Sequence, residues 1–138
     1  MSERASAQSG SLQAGPLSVS LTVKDIQKSL AWYRDVLGCS VVRTREQDGA
    51  LRSVSLSAGD VRITINLDDG KKGWDRAKGE GFSLQISTSQ DIDAIAKGIR
   101  QRGGSLDTEP ADMPWGVRMF RLRDPDGYKF AISSPRPA

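Results

Sequence analysis

The fold of this chain is decided by residues 17 to 38, which read LSVSLTVKDIQKSLAWYRDVLG. Apolar and small polar residues alternate from Ser18 to Val23, which is the two-residue period of a half-buried strand. Asp25 is suited to cap a helix, and the following apolar residues recur at helical spacing up to Leu37, where Gly38 ends the helix. The stretch therefore predicts a strand followed directly by an amphipathic helix.

Three strand-like stretches follow this helix and complete a first unit. They run over Cys39–Arg45, Leu51–Ala58 and Val61–Leu67. The pairs Asp48-Gly49 and Gly59-Asp60 are typical of tight hairpin turns between such strands. The first half of the chain is thus predicted to be a βαβββ unit.

The second half of the chain repeats this order. Phe82–Ser87 alternates as a strand, Asp91 can cap a second helix, and Gly103-Gly104 ends that helix. The remaining strands are predicted at Ser105–Glu109, Val117–Arg123 and Tyr128–Ser133. Because an internal repeat decides the architecture, we expect an α+β fold of two tandem βαβββ units with mixed sheets. Each helix covers one face of its sheet, so the other face is expected to be curled around a concave groove or to meet another sheet.

The domain organisation follows from these boundaries. Residues 1–15 are polar and rich in Ser, Ala, Gln and Gly, so we interpret them as a disordered leader. Residues 16–134 are predicted to form a single domain, with the first repeat at about 17–68 and the second at about 81–134. The glycine-rich, charged segment 69–80 is predicted to link the repeats.

Composition narrows the possible functions. The 138 residues include 20 basic and 17 acidic side chains, a net charge of +3, one cysteine and no histidine. The basic residues are scattered, so nucleic-acid binding is not expected. No apolar run is long enough for a bilayer, so we expect no membrane partner. The single cysteine, Cys39, cannot form an internal disulfide, so we expect a reducing, cytoplasmic location. The absence of histidine removes the commonest general base and metal ligand.

Four stretches, taken in order and spacing, resemble the vicinal-oxygen-chelate superfamily, which contains glyoxalases, bleomycin-resistance proteins and extradiol dioxygenases. They are Leu21–Asp25 leading into Ser29–Gly38, then Ile99–Gly104, Trp115–Arg118 and Arg123–Tyr128. With the repeat order, the resemblance covers nearly everything from Leu17 to Ser133. It implies the fold, a groove on the concave face, and a homodimer that completes the groove.

The resemblance also implies where metal ligands would lie. Metal-using members carry His or Glu at positions that correspond here to Ser18, Arg62, Gly81 (or Phe82) and Ala131. Gly and Ala offer no donor, a serine hydroxyl is a poor ligand, and a guanidinium does not deprotonate in proteins. We therefore expect neither a metal nor another cofactor.

Strand periodicity sorts the side chains by face and leaves hydroxyls, amides and two arginines for the groove. The predicted ligand-binding residues are Ser18, Arg62, Trp74, Asn66, Gln85, Trp115, Met119 and Arg121. A plainly solvated face is the alternative. An ordinary surface salt bridge is equally compatible with Arg62 and Arg121, and simple packing with Trp115.

Three functions fit these features. The first is metal-free binding of a small polar or anionic molecule, similar to the bleomycin-resistance branch. The second is a glyoxalase- or dioxygenase-like lyase or isomerase with a non-standard site; without histidine it would rely on Asp107, Glu109, Asp112 or Tyr128. The third is a non-catalytic module that acts only through a partner protein.

Overall fold

The computed structural model describes residues 10–73 and 76–136, and in them the βαβββ order occurs twice. The first repeat comprises β1 (Ser18–Val23), α1 (Ile26–Ala31) continued by a π-helical turn (Trp32–Leu37), β2 (Ser40–Gln47), β3 (Ala50–Ala58) and β4 (Val61–Leu67). The second comprises β5 (Leu84–Ser87), α2 (Ile92–Gln101), β6 (Thr108–Asp112), β7 (Val117–Arg123) and β8 (Lys129–Pro135).

Each repeat forms one four-stranded mixed sheet. The strand orders are β1-β4-β3-β2 and β5-β8-β7-β6, with parallel pairing of β1 to β4 and of β5 to β8. The other neighbours are antiparallel. The predicted α+β class with two tandem βαβββ units is confirmed.

The first helix ends at Gly38, with φ 95°, as predicted, although its geometry changes from α to π at Trp32. Two strand bounds were predicted wrongly. The strand predicted from Phe82 begins at Leu84, because Gly81 has a positive φ of 83° and Phe82 remains 46% exposed. The strand predicted at 105–109 runs over 108–112, where its pairing with β7 lies.

A single hydrophobic core joins the two repeats. The core-facing side chains of both sheets belong to one buried cluster, together with residues of both helices. Tyr33 is fully buried and meets Phe130 of the second sheet edge to face, with ring centroids 6.0 Å apart. Trp32 lies 6.1 Å from the same ring. The first helix therefore packs against its own sheet, and its π-helical turn packs against Phe130 of β8.

The turn before β8 is a second connection between the repeats. The Tyr33 hydroxyl donates to Asp124 Oδ2 at 2.7 Å, and the Tyr128 hydroxyl donates to the Thr22 carbonyl at 2.8 Å. Asp126 Oδ2 accepts from the backbone N–H of Lys24 at 2.9 Å. The Asp-Pro-Asp-Gly turn thus fixes the second repeat against β1 and α1.

The segment between the repeats is anchored rather than loose at its described ends. Lys78 Nζ lies 2.8 Å from Asp68 Oδ2, and the two side chains are only 3% and 6% exposed. Next to this ion pair Gly79 has φ +78°, and a Cβ there would lie 2.9 Å from Tyr128 Cδ1. Only glycine combines this backbone conformation with so close an approach.

One boundary prediction concerns the leader at the start of the chain. Residues 11–17 are exposed and have no regular secondary structure, whereas the rest of the predicted leader, residues 1–9, lies outside the described residues. No helix in the described ranges has the length and apolar character needed to cross a bilayer.

Candidate functional site

The polar face of the first sheet lies on the side away from the core. On its other side, Val54, Leu56, Ile63 and Ile65 are at most 2% exposed. Three cross-strand rows make up the polar face: Ser18-Arg62-Ser57, Ser20-Thr64-Ser55 and Thr22-Asn66-Ser53. The predicted assignment of these side chains to one face is confirmed by the register.

Hydroxyl and amide groups in these rows bond to one another. Asn66 Nδ2 donates to Ser20 Oγ at 2.7 Å and to the Leu21 carbonyl at 3.3 Å, while its Oδ1 accepts from Ser53 Oγ at 3.2 Å. Ser55 and Thr64 pair at 3.3 Å. These groups are satisfied without a ligand, so Asn66 serves as a cross-strand tie.

The hairpin of β2 and β3 adds basic side chains to this face through an irregular register. At the two-residue turn Gln47 lies opposite Ala50. A regular ladder from there would place Arg45 opposite Arg52 and turn it toward the core side. Instead Arg52 is an extra, bulged residue on β3, and Arg45 pairs with Ser53 of the polar face.

A second bulge on the other strand reverses the shift. Arg43 pairs with Ser55, Val42 is the extra residue on β2, and Val41 then returns to its regular position opposite Leu56. The two bulges therefore turn just the segment with Arg43 and Arg45 toward the hydroxyl rows. All of β2 is exposed, which leaves both guanidinium groups at the open edge of the face.

Arg62 lies at the far side of the same face, in the row with Ser18 and Ser57. Its Nη1 donates to the Gly59 carbonyl at 2.8 Å and to the Val61 carbonyl at 3.3 Å. Within the described ranges Arg43, Arg45 and Arg62 form no salt bridge, and none of the polar-face rows contains a carboxylate. The alternative of a surface salt bridge at Arg62 is therefore not seen.

The polar face of the second sheet is smaller. Arg121 pairs with Ala131, and Ala131 pairs with Gln85 on the edge strand. The Gln85 amide donates to Ser83 Oγ at 2.8 Å, and the exposed Arg121 side chain has no salt-bridge partner among residues 10–73 and 76–136. Met119 is 3% exposed, so its side chain is covered in one copy of the chain.

The two predicted tryptophans stand differently. Trp115 is 65% exposed at the turn between β6 and β7. Trp74 lies outside the described residues. Both remain predictions as ligand contacts, as do Ser18, Arg62, Asn66, Gln85, Met119 and Arg121.

The positions that would hold a metal do not fit one. Ser18 and Arg62 are neighbours on β1 and β4, as the resemblance implies. In the second repeat the neighbour of Ala131 is Gln85, not Gly81 or Phe82, which precede β5. This set contains no anionic or imidazole ligand, and the described part of the chain has no cluster of three or more His, Cys, Asp or Glu side chains that could hold a metal.

The candidate acids and bases all have other partners. Asp107 pairs with Arg123 at 2.9 Å, Glu109 pairs with Arg100, and Asp112 lies 3.0 Å from Arg118. Burial raises the pKa of Tyr128, whose hydroxyl already donates to the Thr22 carbonyl. The structure therefore places none of these groups free on a polar face.

Sequence reasoning missed Arg43 and Arg45. Their spacing of two predicts a common face, and the two-residue turn predicts the register of the hairpin. Counting back from that turn along a regular ladder puts both on the core side. The two bulges that change this register have no clear signal in the sequence.

Comparison with known proteins assigns the family. The profile of the Glyoxalase/Bleomycin resistance protein/Dioxygenase superfamily matches residues 15–132. The chain therefore belongs to this superfamily, which confirms the resemblance.

Similar curated proteins carry an enzyme name. The chain is 27% identical over 128 residues to a lactoylglutathione lyase of Salmonella typhimurium, covering 88% of this chain and 93% of that protein. It is 29% identical over 123 residues to a probable lactoylglutathione lyase of Synechocystis, covering 84% and 92%. It spans only 44% of the longer lactoylglutathione lyase of Arabidopsis thaliana that it also matches.

Solved structures support the fold. A superfamily member from Sphaerobacter thermophilus is 27% identical with a TM-score of 0.71, covering 88% of this chain and 98% of that one. TnmS3, an antibiotic binding protein from Streptomyces, is 21% identical with a TM-score of 0.67, covering 90% and 98%. At that identity the second likeness concerns the fold alone.

Proposed function

We propose that this chain binds a small anionic molecule on its polar faces and does so without a metal. The observation that carries the proposal is the set of arginines Arg43, Arg45 and Arg62, which border hydroxyl rows that contain no carboxylate. A guanidinium binds carboxylate and phosphate groups through charge-assisted, often bidentate hydrogen bonds. Ser18 and Ser57, in the row of Arg62, supply neutral donors beside it.

We further propose that the groove is completed in a homodimer. The polar face of each sheet lies on the far side from the shared core, so one copy does not bring the two faces together. β1 and β5 are edge strands, and the apolar Leu17 and Phe82 beside them are 86% and 46% exposed. Pairing β1 with β5 of a second copy would close both edges and join the two polar faces into one continuous surface. Light scattering after size exclusion is expected to give twice the chain mass; a monomer at micromolar concentration would contradict this assembly.

A binding screen with matched ligands tests the anionic preference. Each small carboxylate is paired with its primary amide, and affinities are measured for the wild type, the double variant Arg43→Ala/Arg45→Ala, and Arg62→Ala. Lys97→Ala on the exposed side of α2 removes one positive charge away from both polar faces and is the matched control for Arg62→Ala. We expect each polar-face change to weaken carboxylate binding by about tenfold or more, with the amides and the Lys97 variant unaffected. Equal binding of carboxylates and amides would show that the arginines do not select the ligand.

Metal independence has its own measurement. Bound metal is quantified after purification without chelator and after incubation with zinc, nickel, manganese and iron(II). We expect sub-stoichiometric metal and unchanged ligand affinity in the presence of a chelator. One tight metal per chain would mean that residues other than those at the family positions supply the ligands.

A second candidate function is a lyase of the lactoylglutathione type, favoured by the names of the curated relatives. It is the weaker candidate, because the metal positions lack ligands and Asp107, Glu109 and Asp112 are each engaged with an arginine. A lactoylglutathione lyase assay with added metals is expected to give no turnover. Turnover that one acidic substitution abolishes would instead favour the enzyme.

A further inference from the structure

A cavity of about 990 Å³ lies between the repeats on the core side of the sheets, away from the polar faces. Its walls are the end of the π-helical turn, the β3–β4 turn, the end of β5 and one side of α2. Pockets for small molecules generally have volumes of about 300–1,000 Å³. The cavity is therefore large enough for a drug-sized compound.

The floor of the cavity is apolar. Cys39, Ile63 and Ile132 lie at its base and are 4%, 2% and 5% exposed. Further lining side chains are partly buried apolar groups, namely Leu37, Val61, Ile86 and Ile95. An aromatic or aliphatic body placed here would bury apolar surface on both sides of the contact.

One cation at the wall, Arg102, is hydrogen-bonded to the backbone and has no acidic partner in the part of the chain that the structure describes. Arg102 Nε donates to the Val36 carbonyl at 3.1 Å. A Cβ on Gly98 would lie 2.8 Å from Arg102 Nη1, and one on Gly38 would lie 3.8 Å from Nη2. The guanidinium thus lies over a glycine within α2, where glycine is unfavourable and alanine would be preferred.

Besides Arg102, the wall carries four charged side chains, namely Arg34, Asp35, Asp60 and Asp91. Arg34 and Asp35 pair with each other at 2.8 Å. Asp91 caps α2 at the opposite end from Arg102, roughly 15 Å away for a helix of this length. Asp60 lies on the β3–β4 turn. Among the described residues, Arg102 is the lining cation without a carboxylate partner.

We propose that this cavity is a second ligand site, separate from the polar-face groove, for an amphipathic organic anion. The apolar body lies against Cys39, Ile63 and Ile132, and a single carboxylate or sulfonate bonds to the guanidinium of Arg102. The site does not depend on the proposed function of the polar faces.

The test uses 8-anilinonaphthalene-1-sulfonate, an aromatic sulfonate whose fluorescence rises in apolar surroundings. The full chain is titrated as wild type, Arg102→Ala and Arg100→Ala, the last being an exposed arginine of the same helix that does not line the cavity. We expect saturable binding of one probe per chain, weakened at least about fivefold by Arg102→Ala alone. Equal affinity in the two arginine variants would overturn the proposal.

The single cysteine reports whether the probe occupies this cavity. Modification of Cys39 by methyl methanethiosulfonate is expected to slow at saturating probe in the wild type and in the Arg43→Ala/Arg45→Ala variant, which keeps this site separate from the groove. Unchanged modification at saturation would place the probe elsewhere and refute the site. Protection that grows with protein concentration without probe would identify a second copy as the occupant and refute it too.

Gly98→Ala provides a positional readout. The added methyl group displaces the Arg102 guanidinium, so probe affinity is expected to fall while the melting temperature is unchanged or higher. If this variant binds the probe as tightly as the wild type, the placement of Arg102 over Gly98 has no role in binding and the proposed site is wrong.

Discussion

Replacing Tyr33 by Phe tests how the two repeats are held together. The change removes only the hydroxyl that donates to Asp124 Oδ2 at 2.7 Å, while the ring keeps its contact with Phe130. Asp124 is 5% exposed, and its Oδ1 accepts from the backbone N–H groups of Asp126 and Tyr128. In the variant, Oδ2 of this buried carboxylate therefore loses the hydrogen bond from Tyr33.

The size of the effect follows from that environment. A hydrogen bond to a charged group contributes about 1.5–3 kcal/mol, and a buried carboxylate oxygen left without its donor has a cost of similar size. We expect Tyr33→Phe to lower the free energy of unfolding by about 2–3 kcal/mol, or the melting temperature by on the order of 10 °C. Tyr128→Phe is the matched control, because its hydroxyl donates to the neutral Thr22 carbonyl and its loss is expected to cost about 0.5–1.5 kcal/mol.

The dependence on pH separates this explanation from a general packing defect. Burial raises the pKa of Asp124, and the bond from Tyr33 partly offsets that rise. A raised folded-state pKa means that the ionised carboxylate costs stability above that pKa, and the cost disappears as the pH falls through it. The deficit of Tyr33→Phe should therefore be largest at neutral pH and shrink in acid. Urea unfolding between pH 7 and pH 4 measures it, and a small, pH-independent deficit would refute the reasoning.

Three further predictions concern the linker and the cysteine. Gly79→Ala should lower the free energy of unfolding by about 1–3 kcal/mol, because φ is +78° and the new Cβ would lie 2.9 Å from Tyr128 Cδ1; unchanged urea unfolding would contradict this. Lys78→Gln should lower the free energy of unfolding most at neutral pH, because Lys78 lowers the pKa of Asp68. The difference in unfolding free energy from the wild type should vanish as the pH falls through that lowered pKa, and a difference that persists in acid would contradict this prediction. Burial raises the pKa of Cys39 to about 11, so its modification rate should rise about tenfold per pH unit between pH 8 and pH 10, and a plateau near pH 9 would indicate an ordinary thiol.

Much of the fold could be predicted because its signals are local. The capping residues Asp25 and Asp91 each accept hydrogen bonds from the first turn of a helix, as their positions predict. Alternation along β1, β3 and β4 indicated which side chains meet the core. The boundaries that failed, at Phe82 and at residues 105–112, depend on where a neighbouring strand offers hydrogen-bond partners.

The candidate site was less predictable. Asn66 remains a predicted ligand contact. Its hydrogen bonds, which tie β4 to β1 and β3, could not be predicted, because they depend on which hydroxyls lie opposite it. Arg62 was predicted with ligand binding and a salt bridge as equal alternatives. Its bonds to the Gly59 and Val61 carbonyls instead depend on the geometry of its own turn.

The sequence by itself determined the repeat and the class of fold, because both follow from residue types at fixed spacing. Only the tertiary structure decided where the strand pairing is irregular or offset. Two bulges, at Arg52 and Val42, turn Arg43 and Arg45 toward the polar face, and the pairing of β5 with β8 places Gln85 beside Ala131. In a strand a shift of one residue exchanges the two faces, and the partner strand sets that shift.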